Sequence, residues 1–200
     1  MSELKNLFND YLHTVDSLEK ASVVSMIVDE VFKSGFDVAS LEFFSNQYEI
    51  KAKRKLIDSI FEELEYVDKI KEYELIDTLS SFLIETTRLI QDQILPVYLE
   101  KLSNKRDFKL VFTTLKIFTS KWREFSDKIK KKLFHEFLVI LDNPVDIFIE
   151  EGIFEITKII LRSKSSSNPL EDLFSKSEVE SYLTILLNLS LNSTDDSLNA

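Results

Sequence analysis

Two hundred residues, 44% hydrophobic and 12% aromatic with sixteen Phe, suit one domain with a sizeable core, and 30% charged side chains keep it soluble. No Cys is present, which excludes disulfides, thiolate metal sites and cysteine nucleophiles. A net charge of −10 argues against broad nucleic-acid binding, and only two Gly with three Pro disfavour hairpin-rich and Gly-loop nucleotide folds.

Met1-Ser2-Glu3-Leu4-Lys5 opens without the basic start and apolar run of a secretory signal. No apolar stretch reaches the roughly 20 residues that a membrane-spanning helix needs. The expected compartment is therefore the cytoplasm or nucleus, and no membrane insertion is expected. Asn188-Leu189-Ser190 and Asn192-Ser193-Thr194 match the glycosylation pattern, but without an export signal they read as chance matches.

Leu4, Leu7, Phe8, Tyr11, Leu12 and Val15 recur at the spacing of one helical face. A second helix is predicted over 18–32, with Leu18, Ala21, Val24, Ile27, Val28, Val31 and Phe32 inward and Gly35 as a left-handed cap. Asp37 caps a third over 38–48, carrying Leu41, Phe44 and Tyr48. The fourth covers 50–66, with Leu56, Ile57, Ile60, Phe61 and Leu64 inward. Asp68 starts the longest pattern, which includes Ile70, Tyr73, Ile76, Leu79, Leu83, Leu89 and Ile90. Pro96 is expected to interrupt it, because proline has no amide hydrogen and clashes with the preceding turn.

Asp107 caps a helix bearing Phe108, Val111, Phe112, Leu115, Phe118 and Trp122, and another follows over 126–141. Asn143-Pro144 starts a further helix, Gly152 punctuates it, and 163–169 reads as a serine-rich loop. Ser177 and Glu180 read as a capping box for a last helix with Tyr182, Ile185, Leu186 and Leu189. The whole is an all-α chain of about ten helices in antiparallel pairs. A single domain over 1–192 with a disordered tail over 193–200 is expected.

The stretch 151–161, with Gly152 and Ile153 near its start, resembles the second helix of an armadillo repeat, and Leu186-Leu187-Asn188-Leu189-Ser190 resembles the third. A second pairing sets Ile94-Leu95-Pro96-Val97-Tyr98-Leu99 before 108–118, with Ile117 where the repeat has asparagine. Antiparallel pairs recurring at roughly 35 to 45 residues suit the same armadillo/HEAT-like solenoid class. The resemblance, over about half the chain, implies a groove in which Asn188 would hold a ligand's backbone. A compact helical bundle is the alternative fold.

Catalytic apparatus is sparse. Asp10 and His13 form D-x-x-H, without the second ligand set that a di-metal site requires. His135-Glu136 fails the zinc pattern because Val139 stands where its second histidine belongs. Both histidines are expected to be ordinary helix residues. Asp58, Glu62, Glu63 and Glu65 read as a solvated face paired with Lys55 and Lys69, the alternative being a site for a cation or basic partner. No G-x-S-x-G elbow marks a serine nucleophile. No catalytic residue, metal or cofactor is predicted.

Charge is uneven along the chain. Residues 1–100 hold 10 basic and 20 acidic side chains, 101–132 hold 11 and 3, and 133–200 hold 4 and 12. Lys116, Lys121, Trp122, Arg123, Lys128, Lys130, Lys131 and Lys132 are candidate contacts for an acidic segment of another protein, with Asn188 from the resemblance. The competing reading is a basic face neutralised by the chain's own acidic flanks. The expected role is a non-catalytic scaffold or adaptor. A bundle-type regulatory subunit is the alternative, and a helical enzyme with a carboxylate-based site is a third.

Overall fold

The structure, a computed structural model, describes residues 2–105, 107–141 and 174–195. Nine α-helices and one short 3-10 turn lie among the described residues, and no strand does. Packing divides the chain into two compact units, Met1–Arg106 and Asp107–Ala200, where the sequence suggests one domain over 1–192.

The first unit holds α1 (Glu3–His13), α2 (Ser17–Ser34), α3 (Val38–Gln47), α4 (Ile50–Glu63), α5 (Lys69–Ile84) and α6 (Arg88–Asn104). The starts of α1, α2, α3 and α5 are fixed by short polar side chains that accept otherwise unpaired amide hydrogens. Asp16 Oδ1 accepts from Leu18 at 2.9 Å and Glu19 at 3.0 Å. Asp37 and Ser40 cap each other reciprocally, and Asp68 accepts from Lys71 at 3.0 Å. Gly35, at φ 69°, turns the chain out of α2 while its amide donates to Val31 O at 2.8 Å. A side chain at that backbone angle would be strained.

Each helix buries one stripe. Leu4, Leu7, Phe8 and Tyr11 of α1 are buried, as are Val24, Ile27, Val28 and Val31 of α2 and Leu56, Ile57, Ile60 and Phe61 of α4. α1 packs on α2 and α3, α2 on α4 and α5, and α6 on α4 and α5. Phe8 lies 6.1 Å from Phe44 and Tyr48, and 6.3 Å from Phe82 of α5. Tyr98 of α6 is fully buried, with its hydroxyl 2.6 Å from Ser80 Oγ and donating to Ile76 O at 3.1 Å. Pairing that phenol removes the cost of burying it.

Several sequence expectations need correction. Pro96 lies inside α6 and does not end it. The missing amide bond is outweighed by burial of Ile94, Leu95, Tyr98 and Leu99 around it. The break falls earlier, at 85–87, where Gln91 Nε2 donates to Ile84 O at 2.8 Å and Thr86 O at 2.9 Å. Those contacts satisfy carbonyls that the end of α5 leaves open. Val15 and Leu18 are 97% and 81% exposed because they flank the α1–α2 turn, beyond the reach of the packed stripe. Ala21, Ile70 and Leu89 are exposed as well, and α4 stops at Glu63 instead of 66.

The second unit has α7 (Phe108–Thr119), the 3-10 turn Trp122–Glu124, α8 (Asp127–Leu141) and α9 (Lys176–Asp195). Asp107 caps α7 as expected, accepting from Leu110 at 3.1 Å. Leu115, Phe118, Trp122, Phe125, Ile129, Leu133, Phe134 and Phe137 form its core, α7 packing on α8 and α8 on α9. The last capping box is Ser175 with Glu178, two residues before the pair expected from sequence. α9 runs to Asp195, past the boundary expected at 192. The expectations at 143–144, Gly152, 151–161 and 163–169 lie outside the described residues.

Far-ultraviolet circular dichroism should therefore give a strongly helical spectrum. More than about a tenth of residues in strands would overturn every packing argument built on the 3.6-residue period.

Candidate interaction surface

The basic segment is divided between the two units. Lys101 and Lys105 belong to the first, where they face carboxylates. Lys101 Nζ lies 3.0 Å from Asp58 Oδ1, but the angle does not make a hydrogen bond, so that buried oxygen lacks a donor. Lys105 Nζ lies 2.6 Å from Glu72, whose other oxygen takes Lys69 at 2.7 Å. Burial pushes the Glu72 carboxyl upward, yet the hydrogen bonds from Lys105 and Lys69 outweigh it and hold the group below its usual range. These groups line a cleft of about 440 Å3 with Glu62 and Glu65.

The remaining candidates lie in the second unit, in three situations. Lys121, Lys130 and Lys132 are engaged locally, 3.7 Å from Glu124, 3.4 Å from Asp127 and 2.7 Å from Glu136. Lys116 and Lys131 are exposed and stand over the rings of Phe112 and Phe174, at 5.5 and 5.9 Å. Arg123 and Lys128 are exposed on the 3-10 turn and α8, and Asn188 is exposed on α9. Trp122 departs from expectation: at 2% exposure it is a core residue, because the 3-10 turn swings its ring inward between Phe118 and Phe125 in sequence. The lysines therefore share no surface with an aromatic from that position.

The three consecutive lysines fan around α8, as a helix requires. Lys130 turns toward Asp127 and Lys132 toward Glu136, whose carboxylate side chain is only 8% exposed. Lys131 lies near enough to Glu178 of α9 to help lower that carboxyl, after the larger contributions of hydrogen bonds from Ser175.

The acidic group around the end of α4 does not pair as expected. Lys69 turns to Glu72, Asp58 takes Lys101, and Glu63 accepts from Ser25 at 2.5 Å. The histidines are exposed, His13 with Nδ1 2.8 Å from Asn9 O. Among the described residues no group of three or more His, Asp or Glu is placed to hold a metal ion. No described helix is long and apolar enough to cross a membrane.

Sequence reasoning missed one buried cation. Lys53 of α4 is 2% exposed, and its ammonium donates to Ser45 O at 3.2 Å and to Tyr48 O, with the Phe44 ring 5.5 Å away. Burial pulls its pKa down. The contacts cap the carbonyl end of α3, where a cation offsets the helix dipole. These contacts make it an anchor in the fold.

No protein-family model, curated protein or solved structure matches the chain.

Proposed function

We propose that this chain is a non-catalytic interaction scaffold or adaptor built on helical repeats, holding a partner protein through a helical surface. The observation that carries the reading is the exposed basic face of α8. Asp107–Ala200 as a whole holds 12 basic and 15 acidic side chains, but residues 107–141 hold eight and four, a local excess of positive charge. Lys128 and Lys131 present it on the outside of α8, where an acidic segment of a partner can collect it.

Two further features suit the repeat class. In the first unit α2, α4 and α6 pack in sequence as one row, and α1 packs on α3, the alternation that stacked helix pairs produce. Asn188 is exposed, as the armadillo resemblance requires of a groove-lining residue. A compact bundle that regulates one partner is the second reading. It is favoured by Phe82, which carries α5 into the same aromatic cluster as α1 and α3.

The test is paired capture and stability measurement. A Lys128→Glu, Lys131→Glu double variant should recover a co-purifying partner roughly tenfold less well, while its stability falls by no more than about 1 kcal/mol, since both side chains are exposed and Lys131 gives up only its place over the Phe174 ring and near Glu178. Raising salt should weaken the wild-type complex as well, since exposed charges are screened beyond about 10 Å at 0.1 M. Unchanged capture in the variant would remove α8 from the interface.

A further inference from the structure

α2 and α4 pack side by side, and they leave a groove of about 410 Å3 between the first half of α2 and the end of α4. Ala21 gives it an apolar side above the buried Val24, Tyr66 stands at one edge, and Glu62 and Glu63 stand along it. The apolar rim is unusually open. Tyr66 is 83% exposed, and Leu18, next to the lining residue Ser17, is 81% exposed. That volume falls within the roughly 300–1,000 Å3 of small ligand pockets, enough for one large side chain and part of its neighbours.

The charge lining the groove is net negative, Glu62 and Glu63 against Lys20. Lys20 takes other contacts: its ammonium donates to Thr14 O at 3.3 Å and stands 4.5 Å from the Tyr11 ring. Glu63 takes only a neutral donor, Ser25. Glu62 and Glu65 make no ion pair among the described residues. Helix α4 is also charged against its own dipole. Lys51, Lys53, Arg54 and Lys55 lie toward its positive start, Glu62 and Glu63 lie at its negative end, and no basic residue stands in its last turn. Folding alone would favour the opposite order. Such a local violation is expected where a surface serves binding.

We propose that this groove docks a basic segment of a partner protein, one apolar or aromatic side chain seated against Ala21 and Tyr66 and flanking Lys or Arg side chains facing Glu62 and Glu63. The inference rests on the interaction-module reading above and adds a second docking surface of opposite sign. An acidic or phosphate-bearing ligand would be repelled by the same two carboxylates, and a purely polar basic one would leave the apolar rim uncovered. The chain would thus hold partners of opposite charge on different units.

Fluorescence anisotropy on the whole chain tests this with two labelled synthetic peptides. One is composed of Lys, Arg, Leu and Trp, and the other carries Glu in place of every Lys and Arg. The first should bind in a salt-sensitive manner and the second should not. Glu62→Lys should weaken binding of the basic peptide by roughly tenfold or more through charge. Tyr66→Ser should weaken it by several-fold through the apolar rim, and since Tyr66 is exposed the fold is not at risk. Absence of binding, or equal binding by the wild type and both variants, overturns the proposal. If the basic peptide fails while α8 still captures its partner, the groove is wrong and the interaction reading stands. Failure of both removes the two together.

Discussion

Replacing Phe82 with Ala should destabilise the Met1–Arg106 unit by about 3–5 kcal/mol, the usual cost of emptying a buried phenyl site. Phe82 is 5% exposed, stacks on Phe36 at 4.1 Å and meets Phe44 at 5.3 Å and Phe8 at 6.3 Å. It joins three helices and a loop at one point, so the surrounding rings cannot collapse together without moving a backbone. A domain of this size is stable by only about 5–15 kcal/mol, so the loss is a large fraction of the total. Urea denaturation followed by circular dichroism measures it. Phe82→Leu should recover most of the stability by refilling the site. Leu89→Ala is the control: at 69% exposure it should change stability by less than about 0.5 kcal/mol. Equal losses at the two positions would show that the aromatic cluster is not the centre of the unit.

That pair of positions also marks how far the sequence could be read. Helical periodicity located the helices because each buries a stripe spaced three and four residues apart, and it identified Asp37, Asp68 and Asp107 as caps from their place before apolar runs. It could not choose between neighbouring apolar residues at a helix start. Leu89 and Ile90 are adjacent, and only the packing of α6 on α4 and α5 decides that Ile90 is buried at 7% exposure. Pro96 misled for a related reason. A local rule gave the cost of proline, while the burial that outweighs it comes from helices distant in sequence.

The charged residues divide along the same line. Lys53 precedes Leu56, Ile57 and Ile60 at helical spacing, and Glu72 stands likewise before Leu75, Ile76 and Leu79. Each is thus at the head of a buried stripe, a signal that was available and points inward. Their partners were not available, because Lys53 reaches the end of α3 and Glu72 takes Lys105, just after α6, across 33 positions. The basic block was legible as composition. Its division into Lys105 within one unit and Lys128 or Lys131 on the surface of another follows from tertiary packing alone, as does the burial of Trp122.

Glu72→Gln should cost about 3 kcal/mol, the lower part of the range for breaking a buried ion pair by removing one partner. The Glu72 side chain is only 4% exposed and accepts from Lys105 at 2.6 Å and Lys69 at 2.7 Å. Lys69 is 70% exposed and can return to water, which holds the expected loss down. Lys105 cannot do so as readily, being 18% exposed with its ammonium 5.9 Å from the Phe61 ring. The loss should therefore be smaller in a Lys69→Met variant than in Lys105→Met. Acid supplies the independent check. Because the folded carboxyl titrates below its unfolded value of 4.5, the folded chain binds fewer protons there than the unfolded one. Its stabilising contribution is complete above pH 4.5 and disappears as pH falls through the lower folded value. Stability of the wild type should thus decline with acidification below pH 4.5 more steeply than that of Glu72→Gln, and the two curves should converge at the acid end. Parallel curves across that window would mean that the Lys69–Glu72–Lys105 triad contributes nothing to folding.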